Sequence, residues 1–339
     1  MTNVLYIGNH LKTQLTNISA IGVLGPLLTS EGYTLYYASS KSNKLLRLIH
    51  MLFSVCRYAK RTDVVLIDTY STTNFYYAFL VSQLCRLVGL SYIPILHGGD
   101  LPTRLRNSPK LSNLIFTHAL RLVSPSLYLQ EAFKKPGFAP VVYIPNSLSI
   151  KQYPYQKKTY DTIRLLWVRS FSNIYNPELA VRVLKRLQDS GYTCELCMVG
   201  PDTGDGSFQA TQKLSSDLDV ALRFTGKLPK SEWLALATHY NVFINTTNFD
   251  NMPVSVIEAM ALGLPVVSTN VGGLPYLITH GETGLLAPSD DALAFEVAVV
   301  QLVSDIDRTH IMTERARAMV EGFDWDVVKG LWFAVLVES

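Results

Sequence analysis

Short, unbroken apolar runs recur along the chain, with helical stretches between them. In the first half they are Val4-Leu5-Tyr6-Ile7, Thr34-Leu35-Tyr36-Tyr37, Val64-Val65-Leu66-Ile67, Tyr92-Ile93-Pro94-Ile95-Leu96 and Leu120-Arg121-Leu122-Val123. Runs that do not alternate with polar residues mark strands covered on both faces, as in a parallel sheet. The second half repeats the pattern with Ile163 to Val168, Cys194 to Val199, Arg223-Phe224, Val242 to Ile244 and Pro265 to Val267. Helical segments near 177–190, 229–240, 253–262 and 290–304 lie between or after these runs. Two successive sets of alternating strands and helices predict an α/β protein of two doubly wound, Rossmann-like domains. The joint falls in Lys151 to Asp161, a polar, Tyr-rich, proline-containing stretch with neither period. The expected domains are 1–155 and 156–322, with a C-terminal helix over 323–339 that can cross back to the first domain. Ligands of such sheets bind at the carboxyl ends of the strands, so chemistry is expected in a cleft between the domains.

Composition agrees with two ordinary globular domains: 339 residues, 48% hydrophobic and 17% charged, with no low-complexity tract. The net charge of +3 hides an asymmetry, because residues 1–150 carry +9 and the remainder −6. A basic half joined to an acidic half points to domains with different partners. Cys56, Cys85, Cys194 and Cys197 are too few for a disulfide framework, which favours a reducing, cytoplasmic setting. Cys194 and Cys197 form a C-x-x-C, but on a strand residues three apart point to opposite faces, so a shared metal or a disulfide is excluded. Met1 to Ile7 has no signal-peptide pattern. Phe75 to Leu96 is apolar but holds Arg86, Gly89 and Pro94, and reads as a helix followed by a buried strand rather than a membrane span. No G-x-G-x-x-G follows a strand, which argues against a dinucleotide cofactor, and no metal-binding cluster is visible.

The densest chemical signal lies in 241–270. A strand from Val242 to Asn245 runs through a polar loop into a helix that opens near Pro253 and ends at Gly263. Free backbone N–H groups at the helix start, together with the positive end of its dipole, suit an anion such as a diphosphate. Asp250 sits just before that helix and Glu258 inside it. With Val254, Ile257, Ala261 and Leu262 toward the sheet, Glu258 is free to accept hydrogen bonds from paired hydroxyls such as those of a ribose. Spacing alone fits equally well an acid complementing the dipole and an ordinary solvated glutamate. His97-Gly98-Gly99-Asp100 follows the strand ending at Leu96, where the glycines allow backbone to approach a ligand closely. An arbitrary loop histidine is more often a cap than a catalyst; the strand-end position favours function here.

The run from Asp250 to Pro275, D-N-M-P-V-S-V-I-E-A-M-A-L-G-L-P-V-V-S-T-N-V-G-G-L-P, continued by Gly281-Glu-Thr-Gly284, resembles family 4 of the retaining glycosyltransferases, of the bacterial surface-polysaccharide type. The resemblance covers the second half well. It covers the first half more loosely, through His97-Gly98-Gly99, Pro125-Ser126 and Ile144-Pro145-Asn146. It implies the two-domain GT-B fold and a nucleotide-sugar donor, UDP- or GDP-linked. It implies a glycan or lipid-linked acceptor in capsule, O-antigen or lipopolysaccharide synthesis, with no cofactor, metal or nucleic acid. Carried over by position, Glu258 binds the donor ribose and Asn251, Met252, Pro253 and Val254 form the donor loop. Asp250 and His97 meet the transferred sugar, with Gly98 and Gly99 beside it, and Arg169 meets the diphosphate. Four positions depart from the pattern. Asp250 is one methylene shorter than the usual Glu, Tyr175 stands where a Lys is expected, Val168 replaces a Gly before the Arg, and Tyr276 replaces a Glu after Pro275. Two other readings compete: a nucleotide-sugar 2-epimerase on the same fold, and a non-catalytic nucleotide-sugar-binding protein.

Two further segments carry expectations. The loop from Gly8 to Gly22 should approach donor or acceptor, without the Gly-Gly pair of many relatives. Lys41 to Arg61 reads as a helix whose Arg47, His50, Ser54, Arg57 and Arg61 share a sector of roughly 80°. That basic side fits either a solvated outer helix or contact with an anionic membrane at the inner face of the plasma membrane.

Overall fold

The computed structural model describes residues 2–10, 19–135 and 137–337, without the side chain of Val337. Residues 11–18 of the Gly8–Gly22 loop lie outside the described residues. The chain divides into two compact units, Met1–Ser147 with Trp325–Ser339, and Leu148–Asp324. The first unit carries β1 (Asn3–Ile7), β2 (Thr34–Ala38), β3 (Val64–Thr69), β4 (Ser91–Leu96), β5 (Leu122–Ser124) and β6 (Val141–Tyr143). These form one parallel sheet in the order β2-β1-β3-β4-β5-β6. The second unit carries β7 (Ile163–Val168), β8 (Cys194–Val199), β9 (Arg223–Gly226), β10 (Val242–Asn245), β11 (Val266–Thr269) and β12 (Leu285–Ala287). Its parallel order is β12-β11-β10-β7-β8-β9. Both sheets are doubly wound.

The unbroken apolar runs have the expected physical cause. On β1, Val4 and Tyr6 enter one core cluster with Ile21, Trp325 and Trp332, while Leu5 and Ile7 enter another with Met51, Val55 and Val81. Alternate side chains are thus buried on opposite faces, and neither face tolerates a polar residue. The same holds on β7, where Leu165 and Trp167 pack on one side and Leu166 on the other. Cys197 is buried, Cys194 is half-buried, and both are free.

Several boundaries differ from the sequence reading. The stretch 148–155, drawn with the first domain, belongs to the second unit. Leu148 and Tyr153 are buried in that unit's core, and Leu148 N–H donates to Phe323 C=O at 2.9 Å. The helix Trp325–Val337 belongs to the first unit. The three-residue strands β6 and β12 and the helices Ser207–Asp217 and Ile306–Glu321 were not anticipated.

The basic side expected of Lys41 to Arg61 is not a solvent face. The helix Lys44–Tyr58 turns Arg47 and Ser54 inward, at 8% and 2% exposure, while Arg57 and Arg61 stay outside. Arg47 can be buried because its guanidinium donates to Lys41 C=O at 2.8 Å, Ser42 C=O at 2.9 Å and Asn9 Oδ1 at 3.0 Å. His50 Nδ1 lies 2.9 Å from Ser39 Oγ. Among the described residues no helix is long and apolar enough to cross a membrane.

Candidate functional site

In the second unit the strand order reverses between β7 and β10, and a crevice at that switch point is where a doubly wound sheet binds its ligand. Arg169 leaves the end of β7, and the loop 246–253 leaves the end of β10. The polar residues of that loop tie the two strand ends together. Trp167 Nε1 donates to Thr246 Oγ1 at 2.9 Å, Thr246 Oγ1 donates to Tyr175 C=O at 2.9 Å, and Asn248 N–H donates to Ile174 C=O at 2.7 Å. These bonds hold Tyr175 under Arg169, whose guanidinium lies 4.6 Å from the ring centroid, a cation–π contact. Glycine sets the other side of Arg169: a Cβ on Gly200 would fall 1.7 Å from Arg169 C=O.

Arg169 donates through Nη2 to Asp250 Oδ2, and Asn251 N–H donates to Asp250 Oδ1 at 2.8 Å. Burial pushes the Arg169 guanidinium down to about 10, so it keeps its charge at neutral pH. Its Nε is buried without a hydrogen-bond partner, an open donor beside an ion pair. The helix Val254–Ala261 starts immediately afterwards, with Pro253 as N-cap. Pro253 C=O accepts from Val256 and Ile257, so the N–H groups of Val254 and Ser255 are the ones outside the helical ladder. Ser255 Oγ, in the same turn, is buried and unpartnered. Unsatisfied donors gathered at a positive helix end have the chemistry to accept an anion.

Glu258 is buried at 7% exposure rather than open as expected, and it is held from two sides. Tyr153 donates its hydroxyl to Glu258 Oε1 at 2.9 Å, and Lys230 Nζ donates to the same oxygen. Burial pushes the Tyr153 phenol up, keeping it a donor, and pushes the Lys230 ammonium down to about 8. Lys230 also lies 4.8 Å from the Tyr153 ring centroid and 5.3 Å from that of Trp233. Both of these hydrogen bonds fall on Glu258 Oε1.

The structure brings Arg169, Tyr175, Asp250 and Asn251 together, and sets Glu258 one helix turn further on with Tyr153 and Lys230. Met252, at 7% exposure, is a core side chain, so only its backbone is available to a ligand, whereas Val254 is exposed at 40%. Sequence reading missed Tyr153 and Lys230. A signal for Lys230 existed: a cation in the first turn of the helix Lys230–Ala237 opposes the helix dipole and calls for a local carboxylate. The glycine pair Gly272-Gly273 was also underrated. It lies on the Asp250–Asn251 backbone, where Cβ atoms would come within 2.2 Å of Asp250 C=O and 1.7 Å of Asn251 C=O.

In the first unit His97 leaves β4 next to β3, as the strand-end reading implied. Its Nε2–H donates to Asp68 Oδ1 at 2.9 Å, and Tyr70 stacks on its ring at 5.3 Å between centroids. Tyr6 donates its hydroxyl to the same Asp68 oxygen at 3.0 Å. Asp68 was not anticipated, although an acid ending the apolar run of β3 is a visible oddity. The close approach at Gly98 is to protein rather than ligand, since its Cβ would fall 2.6 Å from Ser71 N. Among the described residues no group of three or more His, Cys, Asp or Glu side chains could hold a metal ion.

Residues 162–305 match the family described as "Glycosyl transferases group 1". Over 196 residues the chain is 26% identical to a glycogen synthase of Mycobacterium tuberculosis, covering 57% of this chain and 47% of the relative. Over 166 residues it is 28% identical to the amylovoran biosynthesis glycosyltransferase AmsK of Erwinia amylovora, covering 47% of this chain and 40% of the relative. The matches thus span less than half the length of these two relatives. The structure of HepE from Anabaena in complex with UDP-glucose superposes with a TM-score of 0.79 at 16% identity, covering 100% of each chain. The stretch 162–305, less than half of the chain, is thus similar to the group 1 glycosyl transferases, and the chain as a whole has the GT-B fold.

Proposed function

We propose that the protein is a retaining glycosyltransferase that takes a sugar from a UDP- or GDP-linked donor and passes it to a glycan or lipid-linked acceptor in surface-polysaccharide synthesis. The observation that carries this reading is the cluster of open donors at the switch point of the second sheet: Arg169 Nε, Ser255 Oγ and the first N–H groups of the helix Val254–Ala261. Both acids of the site are already paired with cations, Asp250 with Arg169 and Glu258 with Lys230. Donor binding is therefore an exchange. The diphosphate takes Arg169 and the helix start, which frees Asp250 to accept from a sugar hydroxyl, while Glu258 Oε2 accepts from the ribose. His97 is assigned to the transferred sugar, as its sequence position implied. As the bond from the anomeric carbon to the diphosphate breaks, the acceptor oxygen bonds that carbon on the same face, and its proton passes to the departing phosphate. The protein's part is positional and electrostatic: Arg169 and the helix dipole stabilise charge that grows on the leaving group. Similarity to AmsK, named as an amylovoran biosynthesis glycosyltransferase, supports this reading.

Calorimetric titration with UDP, GDP and their sugar conjugates tests this reading. Glu258→Gln should weaken nucleotide binding by about tenfold to a hundredfold, the loss of a charge-assisted hydrogen bond. Asp250→Asn should bind the sugar-free nucleotide at least as well as wild type, because Arg169 is released from its acid, yet transfer slowly. A fall in sugar-free nucleotide affinity as large in Asp250→Asn as in Glu258→Gln would refute the exchange.

A further inference from the structure

The second sheet has a pocket at the end opposite the donor loop. It is an open recess of about 790 Å³ at the amino ends of β7, β8 and β9, lined by Arg164, Glu195, Arg223, Leu236, His239 and Tyr240 among others. That volume is ordinary for a small-molecule site. Arg164 lies near the start of β7 and Arg169 just past its end, so about 16 Å of strand separates the recess from the Arg169–Asp250 pair. Strand register explains why the charges converge. Arg164 stands opposite Glu195, and Arg223 stands opposite Cys197, two residues further along β8. Positions 195 and 197 share a face of the strand, so all three charged side chains leave the sheet on one side.

These charges are loosely held. Arg164 meets Asp161 at 3.8 Å and Glu195 at 3.5 Å, long contacts between side chains that are 34%, 70% and 56% exposed. Exposed pairs of this kind contribute about 1 kcal/mol or less and give way to a better partner. Among the described residues Arg223 makes no ion pair, and the His239 ring has no hydrogen-bond partner. Tyr240, buried at 6% exposure, and the half-buried Leu236 add an apolar wall. Such a lining selects its ligand from several sides. A bare anion would meet Arg223 but also the Glu195 carboxylate, and a neutral apolar molecule would bury guanidinium groups without a partner. A phosphorylated sugar uses every part: its phosphate on Arg223 and Arg164, its hydroxyls on Glu195, and the C–H face of its ring on Tyr240 and Leu236.

We propose that this recess is a second binding site, for a sugar phosphate, at the amino end of the second sheet. The site goes beyond the donor reading and shares no residue with it, so either can fail alone. Calorimetric titration of the whole chain with glucose 6-phosphate and glucose 1-phosphate tests it, with glucose and inorganic phosphate as controls for the two halves of the ligand. At least one sugar phosphate should bind about tenfold or more tightly than either half, and saturating UDP should leave that binding unchanged. Arg223→Gln should weaken it by about tenfold or more, with UDP binding and melting temperature as in wild type, because the side chain is exposed. Glu195→Gln should weaken the sugar phosphate at no cost to inorganic phosphate. No binding of either sugar phosphate up to about 10 mM overturns the proposal, as does undiminished binding by Arg223→Gln. Displacement by UDP overturns it by placing the ligand in the donor site, and inorganic phosphate bound as tightly as the sugar phosphates reduces the recess to a simple anion contact.

Discussion

Asp68 shows how much a single buried acid can fix. Its Oδ1 accepts from both Tyr6 and His97, so His97 carries its proton on Nε2 and turns Nδ1 the other way. Its Oδ2 is buried without a hydrogen-bond partner, in space that exists because position 8 is glycine; a Cβ there would lie 2.4 Å from that oxygen. A buried carboxyl oxygen left without a partner is costly, which points to a use beyond packing. Asp68→Asn keeps the side-chain shape but leaves the His97 tautomer unfixed. If His97 serves the transferred sugar, kcat should fall by about tenfold to a hundredfold while the donor KM holds. Initial-rate kinetics over a donor series separates the two constants; an unchanged kcat would leave Asp68 as packing alone. His97 could be read from the sequence because a histidine ended an apolar run and met two glycines. Asp68 could not be paired with it, because the partnership joins neighbouring strands and has no signature in spacing.

At the scale of elements, the strands were the most legible feature, since burial on both faces leaves unbroken apolar runs. The exceptions have physical causes. Strand β6 is only Val141–Tyr143, each half-buried, and β12 is only Leu285–Ala287, too short to stand out from turns. The helix Lys44–Tyr58 was found, but its orientation was not. A helical wheel counts Arg47 as solvated, and only tertiary contacts show its donors satisfied inside the fold. Loops were hardest, because their roles rest on backbone approach. Gly273 N–H donates to Asp250 C=O at 2.9 Å, and neither Gly272 nor Gly273 has room for a side chain. The glycine loop after β11 therefore presses the Asp250–Asn251 backbone into place ahead of the helix Val254–Ala261. Gly273→Ala must push that backbone aside, at about 1–3 kcal/mol in stability. Nucleotide affinity should drop with it, although residue 273 itself needs no contact with ligand. Thermal unfolding and titration on one sample check this; alanine tolerated with wild-type affinity would show that the loop carries no positional role.

For the whole molecule, the first unit is not continuous in sequence. The chain leaves it at Ser147, builds the entire second unit, and returns as the helix Trp325–Val337. That helix is no accessory: Trp325, Val328, Trp332, Val335 and Leu336 share a core cluster with Val4, Tyr6, Ile21 and Ile93. Trp325 Nε1 further donates to Glu31 Oε1 at 3.1 Å. The sequence reading set this segment apart as a helix able to cross back, but periodicity within the helix does not say which core receives its apolar face. Trp332 is 5% exposed, and Trp332→Ala should cost about 3–5 kcal/mol, comparable with much of a domain's stability. The loss falls on one unit. Arg169, Lys230, Asp250 and Glu258 all lie in Leu148–Asp324, so a nucleoside diphosphate that binds them stabilises that unit by mass action. Scanning calorimetry of Trp332→Ala should therefore resolve two transitions: a lowered one that UDP or GDP does not move, and another that the nucleotide raises as in wild type. A single transition, raised in full by the nucleotide, would mean that the two units unfold together and that the returning helix stabilises the chain as a whole rather than the first unit alone.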